Sequence, residues 1–457
     1  MLFSSIPFLY YFLPAVLILY FLVPQRFRNT FLLLASLLFY AWGEPRYVLL
    51  MIAAIGLFYG YGIAIEKGKG RKVWLTVSVL TGAAMLAVFK YADFAIDNWN
   101  RLTGMSLPLL KLALPIGISF YTFQCVSYTV DVYRQETPAQ RNILRFGTYV
   151  ALFPQLIAGP IVRYVDVAKD LEHRETDWAD VTDGLFGFLV GLGKKILLAN
   201  SFGELTEIFR ASGEKSVLFY WLYAVAFTLH IYFDFSGYSD MAIGLGRIFG
   251  FHFPKNFDYP YVSKNITEFW RRWHMTLGGW FRDYVYIPMG GNRVGKARWV
   301  LNILTVWMLT GLWHGANWNF VVWGLLFAGM LLLEKWLPLG KLPAFLRHGY
   351  VLLTVILSFV IFNAESLAQA GQDLAGMFGF LDIPPVSAEA LYYLRSYAML
   401  FILGTVGATP LVRNFAVRLD RRNVGALLRP AAAIALLLVC TAYLVDGSFN
   451  PFLYFRF

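Results

Sequence analysis

The sequence predicts an all-α polytopic membrane protein, with about 11 to 14 transmembrane or re-entrant helices around a membrane-crossing cavity. Three observations predict it. Of its 457 residues 58% are hydrophobic and only 15% charged, too few to clothe a soluble surface of this size. The apolar residues recur from end to end in runs near the roughly 20 residues that a helix needs to cross a bilayer. The loops between those runs alternate in charge, as the preference of cationic loops for the cytoplasm requires.

The first apolar run, Ile6 to Pro24, lacks a basic leader and a small-residue cleavage site, and reads as a retained helix. Arg26 and Arg28 follow it. A second run, about Phe31 to Trp42, ends at G-E-P-R, and a third, about Tyr47 to Ile65, leads into Lys67, Lys69, Arg71 and Lys72. That cluster marks the cytoplasm and places the amino terminus outside. A fourth span, about Val73 to Ala92, goes out to a loop with Asp93 and Asp97; a fifth, about Leu112 to Val130, returns to Arg134, Arg141 and Arg145.

From 146 to 253 the pattern is weaker. Pro154, Gly159 and Pro160 break the run at F-P-Q-L-I-A-G-P, which spans or dips back, and broken backbone at membrane depth requires protein or water to satisfy it. Spans follow at about Leu185 to Ala199 and Val217 to Phe235, with a shorter apolar piece from Met241 to Phe253.

Residues 254–298 carry Lys255, Lys264, Arg271, Arg272, Arg282, Arg293, Lys296 and Arg298 against Asp258, Glu268 and Asp283. The segment is also crowded with aromatic side chains. A cytoplasmic, partly re-entrant amphipathic segment fits both facts. Spans at about Trp299 to Gly315 and Phe320 to Leu333 then bring the chain back to Lys335, Lys341 and Arg347. One more goes out to an acidic loop with Glu365, Asp373, Asp382 and Glu389, and another returns to Arg413, Arg418, Arg421, Arg422 and Arg429. The last, about Pro430 to Val445, leaves the carboxyl end outside. No internal repeat, low-complexity tract or soluble domain interrupts the series, which reads as one membrane domain over 1–457.

The net charge of +11 lies in short loops rather than in one patch, so a nucleic-acid partner is excluded in favour of membrane orientation. Cys125 and Cys440 both sit in apolar runs, where a thiol packs as a small apolar group, and no metal cluster is expected.

Candidate chemistry concentrates between Asn265 and Asn319. His274 follows Trp270, Arg271, Arg272 and Trp273, and His314 follows Trp313. Ionisable side chains in an apolar protein are costly and are functional candidates by default. An imidazole suits deprotonation of a hydroxyl that attacks a thioester, and that role goes to His314. Gly311 and Gly315 would leave room beside its ring, and Asn317 would orient the ring or a substrate. His274 would position or polarise an acyl donor, with Arg271 and Arg272 as phosphate contacts. The two imidazoles would stand on either side of a passage. The competing reading is a surface helix, with tryptophans at the interface and arginines snorkelling to headgroups. His173, His230, His252 and His348 read as structural. Asp234, Ser236, Tyr238 and Asp240 in Y-F-D-F-S-G-Y-S-D either line a polar cavity or cap a helix starting near Met241.

The motifs L-P-I-G-I-S-F-Y-T-F at Leu114, F-P-Q-L-I-A-G-P at Phe153, Y-F-D-F-S-G-Y-S-D-M-A-I-G-L-G at Tyr232, I-T-E-F-W-R-R-W-H at Ile266, R-D-Y-V-Y-I-P at Arg282, G-G-N-R at Gly290 and G-L-W-H-G-A-N-W at Gly311, with the ending P-F-L-Y-F-R-F, carry a resemblance. The chain resembles the membrane-bound O-acyltransferase (MBOAT) superfamily, and within it the membrane subunits of bacterial polysaccharide O-acetylation systems of the alginate type. The resemblance covers essentially the whole chain. It implies a many-helix fold around a cavity joining the two membrane faces, with the family's catalytic histidine at His314 and its second histidine at His274. It also implies transfer from a cytoplasmic thioester to an outer-face acceptor, often through a partner with an SGNH, serine-hydrolase-like fold.

The resulting expectation is a bacterial cytoplasmic-membrane acetyltransferase. It would take acetyl from acetyl-CoA, without a metal, to an extracytoplasmic polysaccharide hydroxyl, directly or through the partner. D-alanyl transfer to teichoic acid from a phosphopantetheinyl carrier protein is the nearest rival. A lipid-linked sugar flippase with a histidine proton relay is the rival of another class, and it predicts helix repeats that the sequence lacks.

Overall fold

A computed structural model describes residues 2–175, 177–420 and 425–447; Arg421, Arg422 and the closing P-F-L-Y-F-R-F lie outside them. Every regular element among the described residues is helical. The chain divides into two compact units, Met1–Phe188 with Tyr238–Lys255, and Leu189–Gly237 with Asn256–Phe457. The first holds α1 (Phe8–Leu22), α2 (Arg28–Gly43), α3 (Val48–Glu66), α4 (Arg71–Thr103), α5 (Ile118–Arg134), α6 (Ile143–Ala151) and α7 (Tyr164–Glu172). Two long helices, α8 (Trp178–Ala211) and α9 (Val217–Ile248), contribute residues to both. The second unit adds α10 (Ile266–Arg272), α11 (Met275–Phe281), α12 (Lys296–His314), α13 (Trp318–Trp336), α14 (Ala344–Asn363), α15 (Leu367–Met377), α16 (Ala388–Ser396), α17 (Ala398–Gly407), α18 (Leu411–Asp420) and α19 (Gly425–Asp446).

Seven described helices are long and apolar enough to cross a membrane: α3, α4, α8, α9, α13, α14 and the Leu428–Asp446 part of α19. An eighth arises if α17 and Leu411–Leu419, bent by 68°, form one span. The remaining apolar runs of the sequence are shorter or carry charged ends, as in α1, α2, α5 and α12.

The structure moves three expected boundaries. The loop at Asp93 and Asp97 is instead helical, because α4 continues to Thr103 with an Asp97–Arg101 ion pair at 2.9 Å one turn apart. The Asp93 carboxylate accepts the N–H groups of Leu110 (2.6 Å) and Lys111 (2.9 Å), which closes the following turn. The next span begins only at Ile118, since Pro115 precedes it and Gly117 takes a left-handed φ of 75° where a Cβ would meet the Leu156 carbonyl oxygen at 2.7 Å. The apolar piece after Met241 is the end of α9, which runs unbroken through Gly237.

In the first unit α3, α4 and α5 approach through small residues, as helices must where lipid supplies no hydrophobic drive. A Cβ on Gly62 would strike Tyr128, and one on Gly82 would strike Val126. The broken stretch after α6 is buried, and side chains satisfy it: Ser36 Oγ accepts Phe153 N–H (3.1 Å), Tyr149 O–H donates to Val162 (3.1 Å), and Gln155 donates to the Tyr149 carbonyl (2.6 Å).

In the second unit the Lys195 ammonium, in a π-helical part of α8, meets Asp234 of α9 at 2.6 Å, with both side chains about 2% exposed. Gly237 permits this approach, since a Cβ there would lie 2.8 Å from the Gly191 carbonyl. A buried charge deprived of its partner costs about 3–5 kcal/mol. Asp234→Ala therefore lowers the thermal midpoint of the detergent-purified protein, and a Lys195→Met, Asp234→Leu double variant recovers most of the loss. Equal midpoints for Asp234→Ala and the parent would contradict the pairing.

Candidate active site

The site forms where α10 stops and α11 starts. Asn265 caps α10 by accepting the Glu268 N–H (2.7 Å), and Glu268 accepts the Lys264 N–H (3.0 Å). The helix ends when Trp273 turns extended, and His274 adopts φ 43° and ψ 54°, a left-handed conformation rare outside glycine. Such a residue persists only where its surroundings over-determine it. Here two backbone bonds do so: Asp258 N–H donates to Arg272 (2.9 Å) and Met275 N–H to Asn256 (2.9 Å).

Asn256 also orients the ring. Its Oδ1 accepts the hydroxyl (2.9 Å) and N–H (3.4 Å) of Thr276 and lies 3.0 Å from His274 Nδ1. An amide N–H only donates, so the shared atom is an acceptor and His274 Nδ1 must carry hydrogen. The neutral ring then has its lone pair on Nε2, which is buried without a hydrogen-bond partner among the described residues. Burial, reinforced by His314, holds the His274 imidazole well below the ordinary histidine range.

His314 is the last residue of α12, with Trp313 (5.0 Å between ring centres), Trp323 (5.1 Å) and Phe362 (5.2 Å) around it. Trp313 lies 5.8 Å from His274 as well. Both imidazoles line one cavity of about 580 Å³. Its walls include Trp270, Arg271, Trp273, Trp307 and Thr310. Its lining is mostly apolar, with the two imidazoles and Arg271 among its polar groups.

The other expected residues divide. Arg271 lines this cavity, whereas Arg272 is held by Glu268 (3.0 Å) and Asp258 (3.5 Å). Asn265 lines a neighbouring cavity with Arg271. Asn317 donates to the Glu365 carbonyl (2.8 Å) at the start of α13. Gly311 and Gly315 leave no room beside His314: a Cβ on either would come within 2.2 Å of Phe320, so they serve the contact of α12 with α13. Asp234 is paired with Lys195, and Ser236 is buried in the same helix. Tyr238 and Asp240 belong to the other unit, where Tyr238 stacks on Phe3 at 4.7 Å. None of these four caps a helix at Met241, because α9 is continuous there. Of the remaining histidines, His348 meets the Ser263 carbonyl (3.1 Å), His252 faces Asp170 and Asp180, and His230 is buried beside Gly203. Asn256 was missed; it stands in an irregular stretch with no periodicity, 18 residues from the ring it orients.

A family model described as "MBOAT, membrane-bound O-acyltransferase family" matches residues 50–371. The chain belongs to this family. It is 37% identical to the "Probable alginate O-acetylase AlgI" of Azotobacter vinelandii, with all of both chains covered. It is 30% identical to the "Peptidoglycan O-acetyltransferase" of Helicobacter pylori, over 100% of this chain and 98% of that one. A "Teichoic acid D-alanyltransferase" of Bacillus subtilis is 29% identical over 55% of this chain and 69% of its own. The protein is thus a multi-pass membrane O-acyltransferase. Among the described residues of this MBOAT protein no three His, Cys, Asp or Glu side chains gather as a metal site.

The Asn256 contact makes a titration prediction. NMR of histidine-labelled protein finds the His274 ring neutral, with Nδ1 protonated, at pH values below the ordinary histidine pKa of about 6.5. Asn256→Asp sets an anion beside Nδ1–H, favours the imidazolium, and raises the transition by about 1 to 3 pH units. An unmoved transition in a folded Asn256→Asp protein would refute the assignment.

Proposed function

We propose that this protein takes acetyl from cytoplasmic acetyl-CoA and delivers it across a bacterial cytoplasmic membrane for O-acetylation of an extracytoplasmic polysaccharide, directly or through an SGNH-type partner. One observation carries the reading: two imidazoles line a single apolar cavity. The names of relatives that acetylate alginate and peptidoglycan support the acyl group and the polymer class. Residues 254–298 would be the cytoplasmic re-entrant segment, with both termini outside, by the distribution of basic loops.

In the proposed mechanism His314 takes the proton of the acceptor hydroxyl as its oxygen attacks the thioester carbonyl. The carbon–sulfur bond breaks, and the same proton passes to the departing thiolate. His274 positions the donor: in its Nδ1–H tautomer Nε2 accepts a hydrogen bond, suited to an amide N–H of the pantetheine arm, and has no hydrogen with which to polarise the carbonyl. The apolar walls limit thioester hydrolysis. The relation to a teichoic acid D-alanyltransferase supports a second reading, D-alanyl transfer from a phosphopantetheinyl carrier protein.

Proteoliposomes loaded with radiolabelled acetyl-CoA, with polysaccharide and partner outside, test the first reading. Label reaches the acceptor with the parent protein, and His314→Ala reduces the rate by roughly 10²–10⁴-fold. Transfer only from a D-alanyl carrier protein would select the second reading; equal rates with His314→Ala would remove His314 from the chemistry.

A further inference from the structure

Two glycines of α11 have no reason in packing or backbone to be glycine. Gly278 and Gly279 lie within the helix, where glycine is less stable than any residue but proline, and neither has a positive φ. Nothing closes on them either. Beyond its own helix and chain neighbours, a Cβ on Gly278 would meet only the Trp270 carbonyl oxygen, at 4.0 Å, and one on Gly279 would meet nothing within that distance. A Cβ on Gly311 or Gly324, by contrast, would stand 2.2 Å from a facing carbonyl oxygen. What Gly278 and Gly279 do share is the histidine cavity, which both line.

Met275, Gly278, Gly279 and Arg282 recur at helical spacing and all line that cavity, so they are one face of α11 and of the π-helical turn Arg282–Tyr286 that continues it. Ile303, Val306 and Thr310 of α12 line it too, at the same spacing. The α11 face carries long side chains at its two ends and none in the middle, which makes a notch. The notch has a direction. Gly278 is exposed, whereas His274, one helical turn back along the chain, is 2% exposed. His274 Nε2 is buried there without a hydrogen-bond partner among the described residues. We propose that Gly278 and Gly279 set the width of the entrance to the histidine cavity and select the unbranched β-alanyl-cysteamine end of a pantetheine thioester. That chain has no side groups, lies along the bare face of α11, and directs an amide N–H at His274 Nε2. The inference rests on the thioester reading proposed above and adds the residues that decide what fits. It holds for coenzyme A and for a carrier protein alike, because both present the same arm.

The test combines thermal unfolding of the purified full chain in dodecylmaltoside with equilibrium binding of acetonyl-coenzyme A, whose thioether cannot transfer its acyl group. Gly278→Ala with Gly279→Ala unfolds at or above the parent's midpoint, since alanine favours the helix, yet binds the analogue more weakly. Gly279→Leu, which fills the notch, weakens binding by roughly 5- to 150-fold, the cost of overpacking a fitted space. In transfer assays the loss falls on the KM for the donor, while kcat at saturating donor keeps the parent's value. A folded Gly279→Leu protein that binds the analogue as the parent does overturns the proposal. A lowered midpoint in the alanine pair also overturns it, because the glycines would then serve packing. A rise confined to the KM of the acceptor assigns the notch to the acceptor and overturns it as well. Binding that depends on Gly279 in a protein that transfers no acetyl would leave the entrance standing and defeat the function proposed above.

Discussion

Water is absent from the hydrocarbon layer, so every backbone N–H and carbonyl there must find its partner within the chain. Helices meet that demand by themselves, and the rest of this structure depends on how the demand is met where helices stop. After α6 it is met by Ser36, Tyr149 and Gln155. Between α10 and α11 it is met by the strand of residues around Asn256, whose backbone and side chain together fix a left-handed histidine. The His274 ring is thus placed by the same bonds that make its irregular backbone tolerable.

Charge is handled in two ways. Lys195 with Asp234 and Arg210 with Asp373 are paired internally, the second bidentately at 2.7 and 2.9 Å and supported by Tyr223. Arg272 and Arg282 are likewise neutralised by neighbours. Lys264, Arg271, Lys335 and Arg347 are left with one carboxylate that is already occupied. The contrast separates cations neutralised within the fold from cations that line a cavity, a division that net charge alone conceals.

The fold class was legible in composition, since no other architecture absorbs 58% hydrophobic residues in repeated runs. Trp270, Arg271, Trp273, His274 and His314 were legible too, because ionisable groups set among tryptophans in an apolar chain are conspicuous. What stayed hidden depends on tertiary contact. Asn256 looks like any loop residue until the chain folds back on His274. Gly311 and Gly315 suggested space, yet α13 fills it. Asp93 and Asp97 suggested a loop because acidic residues interrupt hydropathy, but Asp97 pairs with Arg101 within the helix and Asp93 accepts N–H groups of the turn that follows it. Lys335 and Arg347 lie far along the chain from Lys264, so only the packing of α13 and α14 near α10 gathers them.

The glycine contact between α12 and α13 has a mechanical consequence. A Cβ on Gly311 would sit 2.2 Å from the Phe320 carbonyl, and one on Gly324 would sit 2.2 Å from that of Trp307. Two backbones that close slide past one another only by clashing, so the pair behaves as a single rigid beam with His314 at its end. The facing wall is of a different kind: α10 and α11 hold seven residues each and meet at the strained turn of His274. One imidazole therefore ends a tightly packed helix pair, and the other sits at a turn between two seven-residue helices.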